Sequence, residues 1–190
     1  MNLPNKLTIS RIVMTFVFMF FLFTRWEYGK MAALITFALA SFTDYLDGWI
    51  AKKRGLISDF GKLMDPIADK ILILAAFLAF VEMKLIPAWT VVIIIFREFI
   101  ITGLRILGII KGHIVAASRA GKHKTISQVV TVFAILIFLV VREYGQYYGF
   151  WSERIEAFSR NGIFCLMLVT VMLTLVSGIS YLERNKRLFL

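Results

Sequence analysis

Cysteine is almost missing from these 190 residues: Cys165 stands alone in an apolar run. One thiol closes no internal disulfide and builds no cysteine metal site, so it reads as a small packing residue. Charge is scarce as well. Charged residues make up 18%, where a soluble domain carries roughly a quarter, and they gather in clusters between long apolar runs. Low-complexity tracts, internal repeats and any stretch resembling a soluble domain are also lacking. What fills the chain is hydrophobic, at 59% with a mean hydropathy of +0.80. The solvent this composition suits is a bilayer.

Six apolar stretches approach or reach the length needed to cross about 30 Å of hydrocarbon as helices: Leu7–Phe23, Met31–Ala51, Leu63–Val81, Ala88–Ile110, Ile126–Val141 and Ile163–Leu182. The first and fifth are short, and Arg11 and Arg142 would have to snorkel to the interface. The first follows Lys6 in the manner of a signal peptide, but Phe20–Trp26 offers no pair of small residues for cleavage. The expectation is an all-α polytopic membrane protein of six transmembrane helices, one domain over residues 1–190. The polar segment Arg142–Gly162, with Tyr144, Tyr147, Tyr148, Phe150 and Trp151, suits an interfacial loop or a short amphipathic helix.

The net charge of +10 is explained by topology rather than by nucleic acid. With both termini cytoplasmic, thirteen of the 22 Lys and Arg residues fall on the cytoplasmic side and six on the other. That asymmetry fits the positive-inside rule. It also favours contact with anionic lipid headgroups. The expected location is the cell membrane, with multiple passes.

The informative segment runs from Thr43 to Lys70. Asp44 and Asp47 lie three apart and Asp65 and Asp69 four apart, so each pair shares a helical face. A short connection makes the two spans antiparallel neighbours whose cytoplasmic ends meet, where four carboxylates can converge. Acids at membrane depth are costly and mark functional sites. Four together repel unless cations lie between them. All-oxygen ligands with no His or Cys nearby favour a hard divalent ion, Mg2+ or Mn2+, and two such ions can share four carboxylates. A single aspartate here would as readily cap a helix or pair with Lys52, Lys53, Arg54, Lys62 or Lys70; four at matched spacing argue against that. Gly48 and Gly61 leave room for a ligand or a neighbouring helix to approach. Pro66 is tolerated if Asp65 lies in the first turn of the third helix, where its missing N–H matters little.

These residues resemble the signature of the CDP-alcohol phosphotransferases, Asp-x2-Asp-Gly-x2-Ala-Arg followed after a short connection by Gly-x3-Asp-x3-Asp. Asp44, Asp47, Gly48, Ala51, Gly61, Asp65 and Asp69 match it, while Lys52 stands where the family has arginine. Lysine keeps the charge and loses the bidentate fork. The resemblance implies a dimeric six-helix enzyme with its site at the cytoplasmic face. It implies two divalent cations held by Asp44, Asp47, Asp65 and Asp69, with Asp69 also the base, and a CDP portion contacted by Gly48, Lys52, Ser58 and Gly61.

Beyond the signature, three local motifs resemble the branch of that family that joins CDP-diacylglycerol to sn-glycerol 3-phosphate and releases CMP. They are Asn2–Arg11, Arg97-Glu98 with Arg105, and Gly121-Lys122-x-Lys124-Thr125. An anionic acceptor calls for cationic partners, and Arg105, Arg119, Lys122 and Lys124 are the candidates. Arg97 is as well explained by a buried pair with Glu98 or another acid, and the loop cations by topology. Serine, inositol phosphate or phosphatidylglycerol are the alternative acceptors. A cation transporter is the alternative outside the family, disfavoured because the acids gather at one membrane face and no helix breaks at mid-depth.

Overall fold

A computed structural model describes the backbone of residues 3–54, 59–110 and 119–184. Its side chains are described within 9–43, 70–108 and 121–184, apart from Arg105, Leu107 and Lys122. Six helices make up the described chain: α1 (Leu3–Phe23), α2 (Gly29–Arg54), α3 (Asp59–Glu82), α4 (Ala88–Ile110), α5 (Arg119–Tyr147) and α6 (Glu153–Arg184). Each contains one of the six apolar stretches. Among the described residues, His123–Tyr147 and Glu153–Arg184 are long and apolar enough to cross a bilayer, while Ile9–Phe23 and Gly29–Thr43 are shorter apolar helices.

Three expectations change. The fifth stretch, expected to be short, belongs to a helix of 29 residues, about 43 Å long at 1.5 Å per residue. Arg142–Gly162, expected as an interfacial loop or a short amphipathic helix, belongs largely to the two long helices: α5 runs on to Tyr147 and α6 begins at Glu153. The local chemistry accounts for that early start. Ser152 caps α6 through its Oγ, which accepts from the Ile155 N–H at 3.3 Å. Glu153 and Glu156 then place negative charge in the first turn, where the helix dipole favours it. Finally, α3 begins at Asp59, so Pro66 is its eighth residue and not in its first turn. The helix continues across Pro66 without the bond that proline cannot donate, a defect next to Asp65 that costs about 3 kcal/mol in an ordinary helix interior.

The contacts group the chain into two compact units, Met1–Ala79 with Ile135–Trp151 and Phe80–Ala134 with Ser152–Leu190. In the first, α1 packs on α2 through two stripes at helical spacing. Arg11, Thr15, Phe18 and Leu22 are buried on α1, and Ala33, Phe37 and Ala40 on α2. The rings of Phe18 and Phe37 meet at 5.7 Å between centroids. Between these helices the chain turns so tightly that a Cβ on Gly29 would lie 2.7 Å from Thr24 Cγ2 and 2.9 Å from the Phe21 carbonyl oxygen. Only glycine fits there.

In the second unit α4 packs on α6. The buried stripe of α6 is small and polar, with Thr170, Thr174, Ser177 and Gly178 alongside Ile163, Met167 and Val171. Its outward face carries Phe164, Val169, Met172 and Val176. On α4, Phe96 and Phe99 are 68% and 69% exposed while Glu98 is buried. Apolar outside with polar and small residues inside is the pattern of helices packed in lipid, where close backbone approach and interhelical hydrogen bonds replace the hydrophobic drive. α3 ends at the boundary of this unit with Lys84 in the left-handed region (φ 55°). There the Lys84 N–H donates to Val81 O and the Leu85 N–H to Phe80 O, both at 2.9 Å, a Schellman closure without its usual glycine.

Candidate active site

Both acidic pairs stand on uninterrupted helix. Asp44, Asp47, Gly48 and Lys52 are carried by α2, and Gly61, Asp65 and Asp69 by α3, all in the first unit. Helical geometry separates Asp44 from Asp47 by about 60° around the axis and Asp65 from Asp69 by about 40°, so each pair keeps one face. The side chains of all these residues lie outside the described set, and Ser58 lies outside it altogether. Among the described residues no group of three His, Cys, Asp or Glu could hold a metal ion. The one cysteine, Cys165, is exposed on α6.

The donor chemistry of the two pairs suits a hard divalent cation. Four carboxylates supply anionic oxygen ligands, which Mg2+ and Mn2+ prefer to nitrogen or sulfur.

The basic candidates fall in the second unit. Arg105 lies on α4, and Arg119 and Lys122 lie in the first turns of α5, with side chains outside the described set. Lys124 is described, and it is buried. Its ammonium donates to Glu98 Oε1, with both side chains 6% exposed. Glu98 Oε1 also receives Arg97 Nη1 at 3.4 Å, and Arg97 Nη2 donates to Ser177 Oγ on α6 at 2.7 Å. The expected pairing of Arg97 with Glu98 is present. Sequence reasoning missed Lys124 as a partner of the same carboxylate, and Ser177 as the onward acceptor. A signal for the first existed in the sequence, since an acid within an apolar helix requires a cation and Lys124 opens the next apolar run. No local pattern marks Ser177, which lies 80 residues beyond Arg97.

Beside this cluster, α4 and α6 enclose a groove of about 310 Å3. It is lined by apolar side chains such as Val92, Phe96, Ile100, Leu175 and Ile179, together with Arg97 and Gly178. A Cβ on Gly178 would stand 3.2 Å from Arg97 Cγ, so the missing side chain lets the arginine stem lie across α6.

A family profile described as CDP-alcohol phosphatidyltransferase matches residues 1–176. Among similar proteins, a "CDP-diacylglycerol--glycerol-3-phosphate 3-phosphatidyltransferase" of Bacillus subtilis (strain 168) is 36% identical, covering 97% of this chain and 95% of its own length. A protein of the same name from Rickettsia bellii (strain RML369-C) is 33% identical over 99% of this chain and 97% of its own. A "Probable phosphatidylglycerophosphate synthase" of Mycobacterium tuberculosis (strain ATCC 25618 / H37Rv) is 32% identical, covering 98% and 82%.

Proposed function

Because the chain belongs to the CDP-alcohol phosphatidyltransferase family, we propose that it transfers the phosphatidyl group of CDP-diacylglycerol to sn-glycerol 3-phosphate and releases CMP. The observation that carries the reading is the likeness, along nearly the whole of both chains, to proteins named for that donor and acceptor. The product, phosphatidylglycerol phosphate, places the enzyme in anionic phospholipid synthesis.

Asp44, Asp47, Asp65 and Asp69 are the residues that would hold two divalent cations, Mg2+ or Mn2+. Bound there, the cations supply charge neutralisation for the diphosphate of the donor. Gly48 and Gly61 leave space for the CDP portion, which Lys52 and Ser58 contact. Lys52 does so as a point charge without the arginine fork. Asp69 accepts the proton of the acceptor's 1-hydroxyl. The oxygen so freed attacks the lipid-side phosphorus. The new P–O bond forms as the bond to the CMP oxygen breaks, and CMP departs with that electron pair. The sequence offers no Ser or Cys nucleophile set, which favours direct displacement over a covalent intermediate.

Arg105, Arg119 and Lys122 are the cations assigned to the acceptor phosphate; Lys124, the fourth candidate, has its ammonium committed to buried Glu98. The protein works as a six-span, multi-pass protein of the cell membrane, with both termini and the active site facing the cytoplasm, and as a homodimer among membrane lipids. The family match runs through both compact units, which supports treating residues 1–190 as one catalytic domain.

An acceptor panel tests the reading. Purified protein in detergent micelles is given CDP-diacylglycerol with glycerol 3-phosphate, serine, inositol phosphate or phosphatidylglycerol, and CMP is measured. CMP with glycerol 3-phosphate alone is the expected result. CMP with a different alcohol would move the protein to another branch of the family.

A further inference from the structure

We propose that Glu98 is a positioning residue for the acceptor step, fixing Lys124 and Arg97 so that α4, α5 and α6 hold the basic start of α5 in one register. The proposal rests on the reading that the acceptor is a phosphorylated alcohol.

A single buried carboxylate on α4 accepts from two cations. One is the Lys124 ammonium on α5; the other is the Arg97 guanidinium, which reaches on to Ser177 Oγ on α6 at 2.7 Å. Glu98 thereby joins α4 to α5, and it also holds the neighbouring Arg97, which joins α4 to α6. The α6 end of the chain depends on Gly178, where a Cβ would press on the Arg97 stem at 3.2 Å. Lys124 is tied at its backbone too, since its carbonyl accepts from Ser127 Oγ at 2.8 Å.

Stability alone is a poor reason for such an arrangement. Taking charges out of water costs much of what their attraction returns, and well-packed apolar residues hold helices together as well or better. What a buried carboxylate does supply is fixed geometry for a flexible lysine stem. A helix start free to shift must be ordered each time an anion binds, and one already held does not. Arg119 and Lys122 lie on the same stretch of α5, so a fixed Lys124 also fixes the axial position of the helix turn that carries them.

The test uses full-length protein in micelles, with Glu98→Gln, Glu98→Asp, Lys124→Met and the double variant Glu98→Gln/Lys124→Met. KM for glycerol 3-phosphate, KM for CDP-diacylglycerol, kcat and thermal midpoint are measured for each. Glu98→Gln should raise KM for glycerol 3-phosphate about tenfold or more and leave KM for CDP-diacylglycerol within about twofold. Glu98→Asp, which keeps the charge and retracts it by one methylene, should fall between. In the double variant the two effects should be far from additive, because the carboxylate acts through the lysine. A lower thermal midpoint with both KM values unchanged would assign Glu98 to stability and overturn the proposal, as would failure of both single Glu98 variants to fold. If the wild-type protein releases no CMP with glycerol 3-phosphate, the reading beneath the proposal fails and the proposal with it. An active wild type beside an unaffected Glu98→Gln variant overturns the positioning role alone.

Discussion

The hydroxyls of Thr131 on α5 and Thr170 on α6 lie 2.8 Å apart, each residue about 1% exposed. In a soluble protein such a pair would be one contact within an apolar core. Here Phe164, Val169, Met172 and Val176 of α6 are exposed, and the threonines form part of the seam between helices. Thr170 has a further partner in the Ser127 carbonyl at 3.4 Å. Replacing Thr131 with valine keeps the shape and removes one hydrogen bond, so unfolding in micelles should be easier by only about 0.6 kcal/mol, with turnover unchanged. A much larger loss would mean that Thr131 does more than bridge the two helices.

Lys84 occupies a backbone conformation that costs a side-chain-bearing residue about 1–2 kcal/mol. Its carbonyl, not its side chain, receives Arg160 Nη1 at 3.3 Å, so a glycine preserves that contact. Lys84→Gly is therefore expected to raise stability by up to about 1 kcal/mol, the relief of strain being partly offset by a more flexible unfolded chain. Thermal unfolding followed by circular dichroism checks the sign, and a lower midpoint would contradict it.

The turn into α2 gives the opposite case. The Cβ of Gly29→Ala would approach the Phe21 carbonyl oxygen to 2.9 Å and Thr24 Cγ2 to 2.7 Å, and a backbone oxygen cannot rotate away. Loss of about 1–3 kcal/mol follows from such overpacking, read as a lower midpoint in the same assay. An alanine variant as stable as the parent would show that the turn is looser than its geometry indicates.

The number and placement of the described helices were legible because each apolar stretch is long enough to form one helix. Their ends were not. α5 runs past Val141 through Arg142 and Glu143 to Tyr147, since polar side chains need not stop a helix and hydropathy alone cannot distinguish the two outcomes. Pro66 lies deeper in its helix than the pattern indicates for a related reason: the apolar run begins at Leu63, while the helix starts at Asp59. The signature aspartates could be identified by spacing, which is a local property. The Lys124–Glu98–Arg97–Ser177 chain depends on which faces of three helices meet, and only its Arg97–Glu98 link was visible in the sequence.

Asp69 carries the proton-transfer role in the proposed chemistry. Asp69→Asn retains an oxygen ligand and removes the base, so turnover should fall by about 100-fold or more while bound metal, measured by elemental analysis, is retained. Unchanged turnover with metal preserved would remove Asp69 from that role.

The central claim is that Asp44, Asp47, Asp65 and Asp69 act through divalent cations, and metal removal tests it most directly. Protein stripped with chelator and dialysed should release no CMP from CDP-diacylglycerol and glycerol 3-phosphate. Activity should return on adding Mg2+ or Mn2+ to the parent chain, and fail to return in Asp65→Asn. Full turnover by the metal-free protein would contradict the account.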